Sequence, residues 1–396
     1  MEYTLNEVLI KPKREKYSRK NNPAVELMKK VVASKELDDL KQKDHYNYNV
    51  YQKLTLALNN ITADSLRESK LFKQYPFFRE QVEYCPEIDK NILPLSVDET
   101  LTQIVYRKNP ESEKHIIKGI NSTGVNELFN TGDMLTTVLK DVFQNVNVYE
   151  DRVRLLQYPF DSPISDNGIG FYRYYIMDTT YVEKDKCFQL SFVPNNPQDF
   201  GFTGTLYILA DSTFRLKQCV LNLPAKTDVN FVESLKIVQG FGALPTGEWV
   251  QQTDDMLCEM NFFGGHFMVR RVTRNSDYAF EEISPTIFKR KGKEIKEVNA
   301  MMRDEEFWNQ YRAQTDLTKS ESNMGNFIDN LANIKGFKYI MIGLKALIES
   351  YVETGNPSKV DVGPINAMVS SNYVDGFRLR ATAQTTANLH PQIFLK

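Results

Sequence analysis

The sequence predicts an α+β protein organised around one long, curved antiparallel β-meander packed on a few helices. Two observations carry this expectation. Between Gly170 and Arg274 apolar and polar residues alternate with period two, as strands do when successive side chains point to opposite faces. Short polar or glycine-bearing breaks interrupt the alternation at regular spacing. They give about eight strands joined by hairpin turns, and so a single curved sheet or half-barrel. One face is aromatic and aliphatic, so helices, expected from upstream, have to cover it.

Within the meander, Phe188, Leu190 and Phe192 share one face of a strand over Cys187–Val193, opposite Gln189 and Ser191. Phe202, Leu206 and Ile208 mark the next strand, and Ala210-Asp211-Ser212 makes a short polar loop. Thr213–Leu221 then places Phe214, Leu216 and Val220 inward, with Arg215, Lys217 and Cys219 outward. Phe231–Phe241 and Gly247–Val250 continue the pattern. Asp254-Asp255 reads as a turn before Met256, Cys258, Met260 and Phe262, and Gly264-Gly265 as a second turn before Phe267–Val272.

Upstream, Lys11–Lys20 is a basic, solvated linker. Asn22 and Pro23 open a helix whose stripe is Val25, Met28, Val31 and Val32. Tyr46–Leu58 alternates as the first strand of the sheet, Asp64–Lys73 reads as a short helix, and Asp133–Gln144 as a longer one. Val146–Leu156 is a further strand and Pro159–Gly170 a loop. Downstream, Thr318 and Glu321 have the spacing of a capping box, opening a helix that carries Met324, Phe327, Ile328, Leu331 and Ile334. Ile340–Glu353 fits either a helix or a strand, with Leu344, Ala346, Ile348 and Val352 leaning towards the strand. Asp375–Thr385 alternates strictly, with Phe377, Leu379, Ala381 and Ala383 opposite Arg378, Arg380, Thr382 and Gln384, as a lipid-facing, lumen-facing barrel strand would.

Composition narrows the function classes. A net charge of −2 over 396 residues gives no electrostatic footprint for nucleic acid. No apolar run reaches the length of a membrane-spanning helix. Met1-Glu2-Tyr3 does not open a signal peptide and reads as a cut inside a longer chain, Tyr3–Ile10 already alternating as a strand. The four cysteines (Cys85, Cys187, Cys219, Cys258) have no C-x-x-C spacing and read as buried thiols. Glu111, Glu113 and His115 form a charged loop rather than a metal site, and the four histidines are scattered. With no G-x-S-x-G elbow and no Cys/His pairing, neither catalytic residues, nor metal ligands, nor a cofactor are expected.

Several phrases together resemble one family. They are Val8–Lys13 with Lys16-Tyr17 and Asn21–Ala24; Leu93-Pro94 with Asp98–Leu101; Phe171–Asp178; Phe188–Phe192 with Phe200–Gly204; and Asn230–Val232. Phe307-Trp308 with Arg312, Leu317-Thr318 and Glu321 belong to the set, as do Asn372–Arg378 and Thr385–Leu389. The chain looks like the domain-of-unknown-function family of Bacteroidota outer-membrane proteins. Its members carry an N-terminal carboxypeptidase-regulatory-like β-sandwich, a periplasmic middle region and a C-terminal outer-membrane β-barrel. The resemblance implies four segments: 1–20, the last strand of a missing sandwich plus linker; 21–282, a periplasmic α+β half-barrel; 283–338, a helical connector; and 339–396, the opening strands of a truncated barrel. The half-barrel is also similar to the lipoprotein-carrier fold.

The function this implies is a non-enzymatic envelope protein, a periplasmic module beside an outer-membrane barrel. It would serve as a scaffold or bind a hydrophobic ligand or partner. A lipid or lipoprotein ligand would lie in an apolar groove lined by Phe188, Phe192, Phe214 and Phe231. Two other readings are a hydrolase using sheet carboxylates and an assembly protein pairing through exposed strands at Val374–Thr385.

Overall fold

The computed structural model describes residues 17–125, 146–155, 158–196, 199, 201–223, 232–262, 265–312, 315–334, 351–355, 357–363, 368–372 and 376–395. The expected strand Tyr3–Ile10, the helix Asp133–Gln144 and most of Ile340–Glu353 lie outside them. In chain order the first strands are β1 (His45–Ile61), β2 (Glu83–Cys85), β3 (Lys90–Arg107), β4 (Ser112–Gly124), β5 (Arg152–Leu155) and β6 (Tyr158–Asp161). The meander follows as β7 (Tyr172–Val182), β8 (Asp185–Pro194), β9 (Thr203–Leu209), β10 (Leu216–Asn222), β11 (Val232–Ala243), β12 (Trp249–Phe262) and β13 (Gly265–Ala279). After it come β14 (Glu294–Lys296), β15 (Val352–Glu353), β16 (Val360–Val362), β17 (Val369–Asn372), β18 (Gly376–Leu379) and β19 (Ala383–Thr385).

The chain divides into two compact units. The smaller holds Met1–Asp39, Asn147–Val153 and Pro159–Thr227, and the larger the remainder, so residues 21–282 are shared between them. In the smaller unit β10, β9, β8 and β7 follow one another as an antiparallel meander. The helix Pro23–Ser34 starts as its sequence requires: Asn22 Oδ1 accepts from the Ala24 amide at 2.9 Å, and proline fills the first position. It buries Ala24, Val25, Leu27, Met28 and Val31 and packs beside β7, while Val32 is only half-buried.

The facing of β10 differs from the expected alternation. Leu216 lies opposite Ile208 but Gln218 opposite Tyr207, so Lys217 is an extra, bulged residue. One inserted residue inverts the pattern after it. Cys219 and Leu221 are fully buried and Val220 is half-buried, the reverse of the sequence reading. Phe214 is not in the strand. The Asp211 carboxylate accepts from the Thr213 amide and hydroxyl, which prolongs the turn and leaves Phe214 at φ +53°.

In the larger unit the strand order is β14-β4-β3-β1-β13-β12-β11, with β2 beside β3. All the described pairings are antiparallel except β14 on β4. Strand β1 is therefore central rather than first, which explains why its middle is buried on both faces and does not alternate in exposure. Helices from both upstream and downstream cover the larger unit's sheet: Phe72 and Phe78 come from Lys70–Gln74 and Phe77–Gln81, and two further helices follow the meander. Glu305–Arg312 sets Trp308 against Tyr51 and Leu101, and Met324–Ala332 packs Phe327, Ile328 and Leu331 on Leu93, Val97, Phe72 and Phe78. The expected helix Asp64–Lys73 is two helices, Ala63–Glu68 and Lys70–Gln74, parted at Ser69 (ψ 131°), whose hydroxyl caps the second.

Asp254-Asp255 is not a turn. Strand β12 runs straight through it, because Arg271 and Arg274 on β13 supply the counter-charges. Asp375–Thr385 is likewise not one continuous strand. β18 pairs with β17 and β19 with β16, and the chain leaves one small sheet for the other across Arg380–Thr382. There the Arg380 amide donates to the Met368 carbonyl and the Thr382 carbonyl accepts from Gly363.

Candidate functional site

The densest concentration of chemistry is on one face of the larger unit's sheet. Period two along β1 sends Tyr51, Lys53 and Thr55 to the same side. The register with β3 sets Leu101, Glu99 and Val97 directly opposite them, and β13 sets Arg270 opposite Thr55. The downstream helices bring the complements. Lys53 Nζ donates to Glu321 Oε2 at 2.8 Å and to the carbonyls of Asp316 (3.0 Å) and Thr315 (3.3 Å). Glu321 Oε1 accepts from Thr55 at 2.7 Å and from Arg270 at 3.2 Å. Glu321 is also the carboxylate of the capping box, accepting from the Thr318 amide at 3.0 Å. Its side chain is 0 % exposed.

A second anion sits beside it. Glu99 accepts from Nε and Nη2 of the Arg312 guanidinium, from Tyr51 Oη at 2.7 Å and from Asn121 at 2.9 Å. Arg312 continues to Glu305 at 2.6 Å. The opposite face of the same sheet holds Arg271 and Asp254, 3.0 Å apart and both buried.

Protonation follows from this geometry. Burial alone would raise the Glu99 carboxyl, but hydrogen bonds from Arg312, Tyr51 and Asn121 outweigh it and hold it below the usual range. Glu321 behaves alike: burial is overcome by the Lys53 charge and by hydrogen bonds from Lys53 and Thr55. For Asp254 burial prevails over Arg271 and the carboxyl moves up. Every carboxylate oxygen of Glu99 and Glu321 already accepts a proton-bearing partner, so the pair is built to brace helices against strands. Burial pushes the thiols of Cys85 and Cys258 up to about 12, which suits packing rather than nucleophilic attack. Glu113 and His115 stand on β4 rather than in a loop, 2.7 Å apart, and no group of three metal-binding side chains occurs among the described residues.

The smaller unit offers a different feature. Strand β7 ends the run β10-β9-β8-β7, and Tyr175, Ile176, Met177 and Tyr181 on it are exposed, Met177 by 63 %. Adjacent residues on opposite faces are both exposed, so this stretch projects as a ribbon open on two sides. The Tyr174 amide donates outward, to the hydroxyl of Tyr17 at 3.1 Å, and period two aims the Ile176 amide the same way. The Tyr17 ring lies tilted against that of Tyr175, with centroids 5.3 Å apart.

Of the expected groove residues, Phe188 and Phe192 share a face of β8. Phe192 is fully buried, its ring edge-on to Tyr172 at 5.4 Å and lying over Gly204; Phe188 is half-buried. Phe214 stands apart in its turn beneath the Lys30 ammonium, 4.7 Å from the ring centre, and Phe231 is outside the described residues. The ionic network escaped the sequence reading. Its signal was a lysine at Lys53 and a glutamate at Glu99 in mid-strand, flanked by Tyr51, Leu54 and Leu101, since charges at inward positions demand partners.

The model of a family described as "Family of unknown function (DUF5686)" matches residues 27–278. The chain belongs to this family. The DUF5686 span contains Lys53, Glu99 and Arg270, whereas Glu305, Arg312 and Glu321 lie beyond it. Among solved structures the chain is similar to an outer membrane lipoprotein-sorting protein domain from Vibrio parahaemolyticus (8 % identity, 66 % of this chain and 95 % of that one, TM-score 0.27). It is similar also to a DUF1329 family protein from Desulfovibrio piger (11 %, 68 % and 98 %, TM-score 0.27). A LolA superfamily protein from Nitrosomonas europaea gives 11 % identity over 67 % and 97 %, with a TM-score of 0.23. No curated protein matches the sequence significantly.

Proposed function

We propose that the protein is a non-enzymatic module of the cell envelope, a braced scaffold that holds an extended segment of a partner protein along β7. The observation that carries this reading is the exposure of Tyr175, Ile176, Met177 and Tyr181 on the last strand of the run, beside the outward-donating Tyr174 amide. Edge strands left apolar and uncovered invite pairing, and main-chain hydrogen bonds give such pairing its affinity. One edge amide already takes an acceptor from Tyr17, so the geometry accommodates a ligand there. The periplasmic setting and a neighbouring outer-membrane barrel belong to the same proposal and rest on the resemblance of the phrases quoted above. Complete enclosure of Phe192 by Tyr172 and Gly204 favours a partner strand over an acyl chain at that position.

The test is fluorescence anisotropy of the full chain with extended peptides of alternating apolar and polar residues, against scrambled controls. Ile176→Pro removes the outward amide, and proline is tolerated on an edge. It is expected to weaken binding by about tenfold, one lost hydrogen bond plus the register it sets. Equal binding of scrambled peptides, or none by the wild type, refutes the reading. Native mass spectrometry with lipid extraction covers the rival: a bound acyl species displaced by neither peptide would point to a hydrophobic ligand instead.

A further inference from the structure

The larger unit carries a second surface, independent of β7. Between Lys289 and Lys296 stand five basic residues, Lys289, Arg290, Lys291, Lys293 and Lys296, against the single acid Glu294. Directly after them Val298 is fully exposed, Met301 61 % and Met302 84 %. Exposed methionines and a valine on a loose loop would mean little, but this segment is tied down along its length. The Lys114 ammonium on β4 donates to the carbonyls of Arg290 (2.7 Å) and Gly292 (2.5 Å), and the His115 amide to Lys293 (2.8 Å). Strand β14 then runs parallel to β4. The Glu297 amide donates to Ile117, the Ile120 amide to Ala300, and Arg303 to the Lys118 carbonyl at 2.7 Å. Ala300 is wholly buried as the anchor of the turn. The fold thus spends backbone hydrogen bonds to hold three apolar side chains in water next to a basic run.

We infer that this edge seats on a lipid surface bearing anionic headgroups. Val298, Met301 and Met302 enter the interfacial layer while Lys289, Arg290 and Lys291 meet phosphates; Lys293 also pairs with Glu113 at 2.9 Å, and Lys296 lies against Met301. Apolar tips flanked by cations are what such a layer rewards, since burial and headgroup attraction add. Of the nearby acids, Glu297 is bound by Arg303, Glu305 by Arg312, and Asp304 accepts from the Phe307 amide, while Glu294 and Glu306 are exposed.

Flotation of the full chain tests this, using vesicles of phosphatidylcholine alone and vesicles with an equal part of phosphatidylglycerol. The wild type is expected to float with the anionic vesicles and not with the neutral ones. Each charge removed in Lys289→Gln/Arg290→Gln/Lys291→Gln is expected to lower partitioning about fivefold. Val298→Ser/Met301→Ser/Met302→Ser is expected to lower it more than about tenfold. Circular dichroism checks that both variants fold, and Ile176→Pro, which targets β7, should float as the wild type does. Equal flotation with neutral vesicles, unchanged flotation of either folded variant, or binding to a poly-glutamate peptide but to no vesicle would overturn the inference.

Discussion

Glu321 does two jobs with one carboxylate. As a cap it satisfies a helix amide, and as a buried anion it answers Lys53 and Arg270. The two contributions separate by mutation. Thr318→Ala removes the cap alone and should cost about 1 kcal/mol. Glu321→Ala strands the buried Lys53 ammonium and removes a partner of half-buried Arg270, and should cost about 3–5 kcal/mol in urea unfolding of the full chain. Near-equal losses would mean that the carboxylate acts only as a cap. Local sequence showed the cap, because threonine and glutamate three apart are a short-range pattern. It could not show the counter-ion role, because Lys53 is 268 residues away and only β1's register brings it close.

At the scale of elements, alternation located the strands of the meander well and their facing less well. The bulge at Lys217 leaves no mark in a binary pattern, yet it reverses every side chain after it on β10. Asp254-Asp255 failed for a related reason: paired acids resemble a turn until the arginines on the next strand, β13, are known to face them. Gly204 shows what the meander needs from a residue without a side chain. A Cβ there would stand 1.8 Å from the Val220 carbonyl oxygen, with the Phe192 ring on its other side. Gly204→Ala should therefore destabilise the β8–β9–β10 sheet by about 1–3 kcal/mol, the usual cost of overpacking. A melting temperature equal to that of the wild type would show that β10 can shift aside.

For the molecule as a whole, the buried carboxylates set an acid limit. Glu99 and Glu321 ionise more readily folded than unfolded, and Glu113 is brought down to about 2, chiefly by its hydrogen bond with His115. Groups with lowered values stabilise fully above the unfolded value and lose that contribution as pH falls through the folded one. Asp254 has the opposite sign, its stabilisation fading as pH rises, and offsets part of the effect. Urea midpoints should thus hold steady from about pH 7 to about pH 5 and drop below about pH 4.5. Glu99→Gln or Glu321→Gln should flatten that drop, and an equal drop in these variants and the wild type would exclude the two carboxylates as its cause. Charge neutrality also draws a border of its own through this protein. The family match ends at residue 278, but the anion for Lys53 and the guanidinium for Glu99 arrive later. A gene trimmed to the recognisable portion would encode a sheet with its charges unbalanced. The unit that inheritance makes visible is therefore smaller than the unit that electrostatics can hold together.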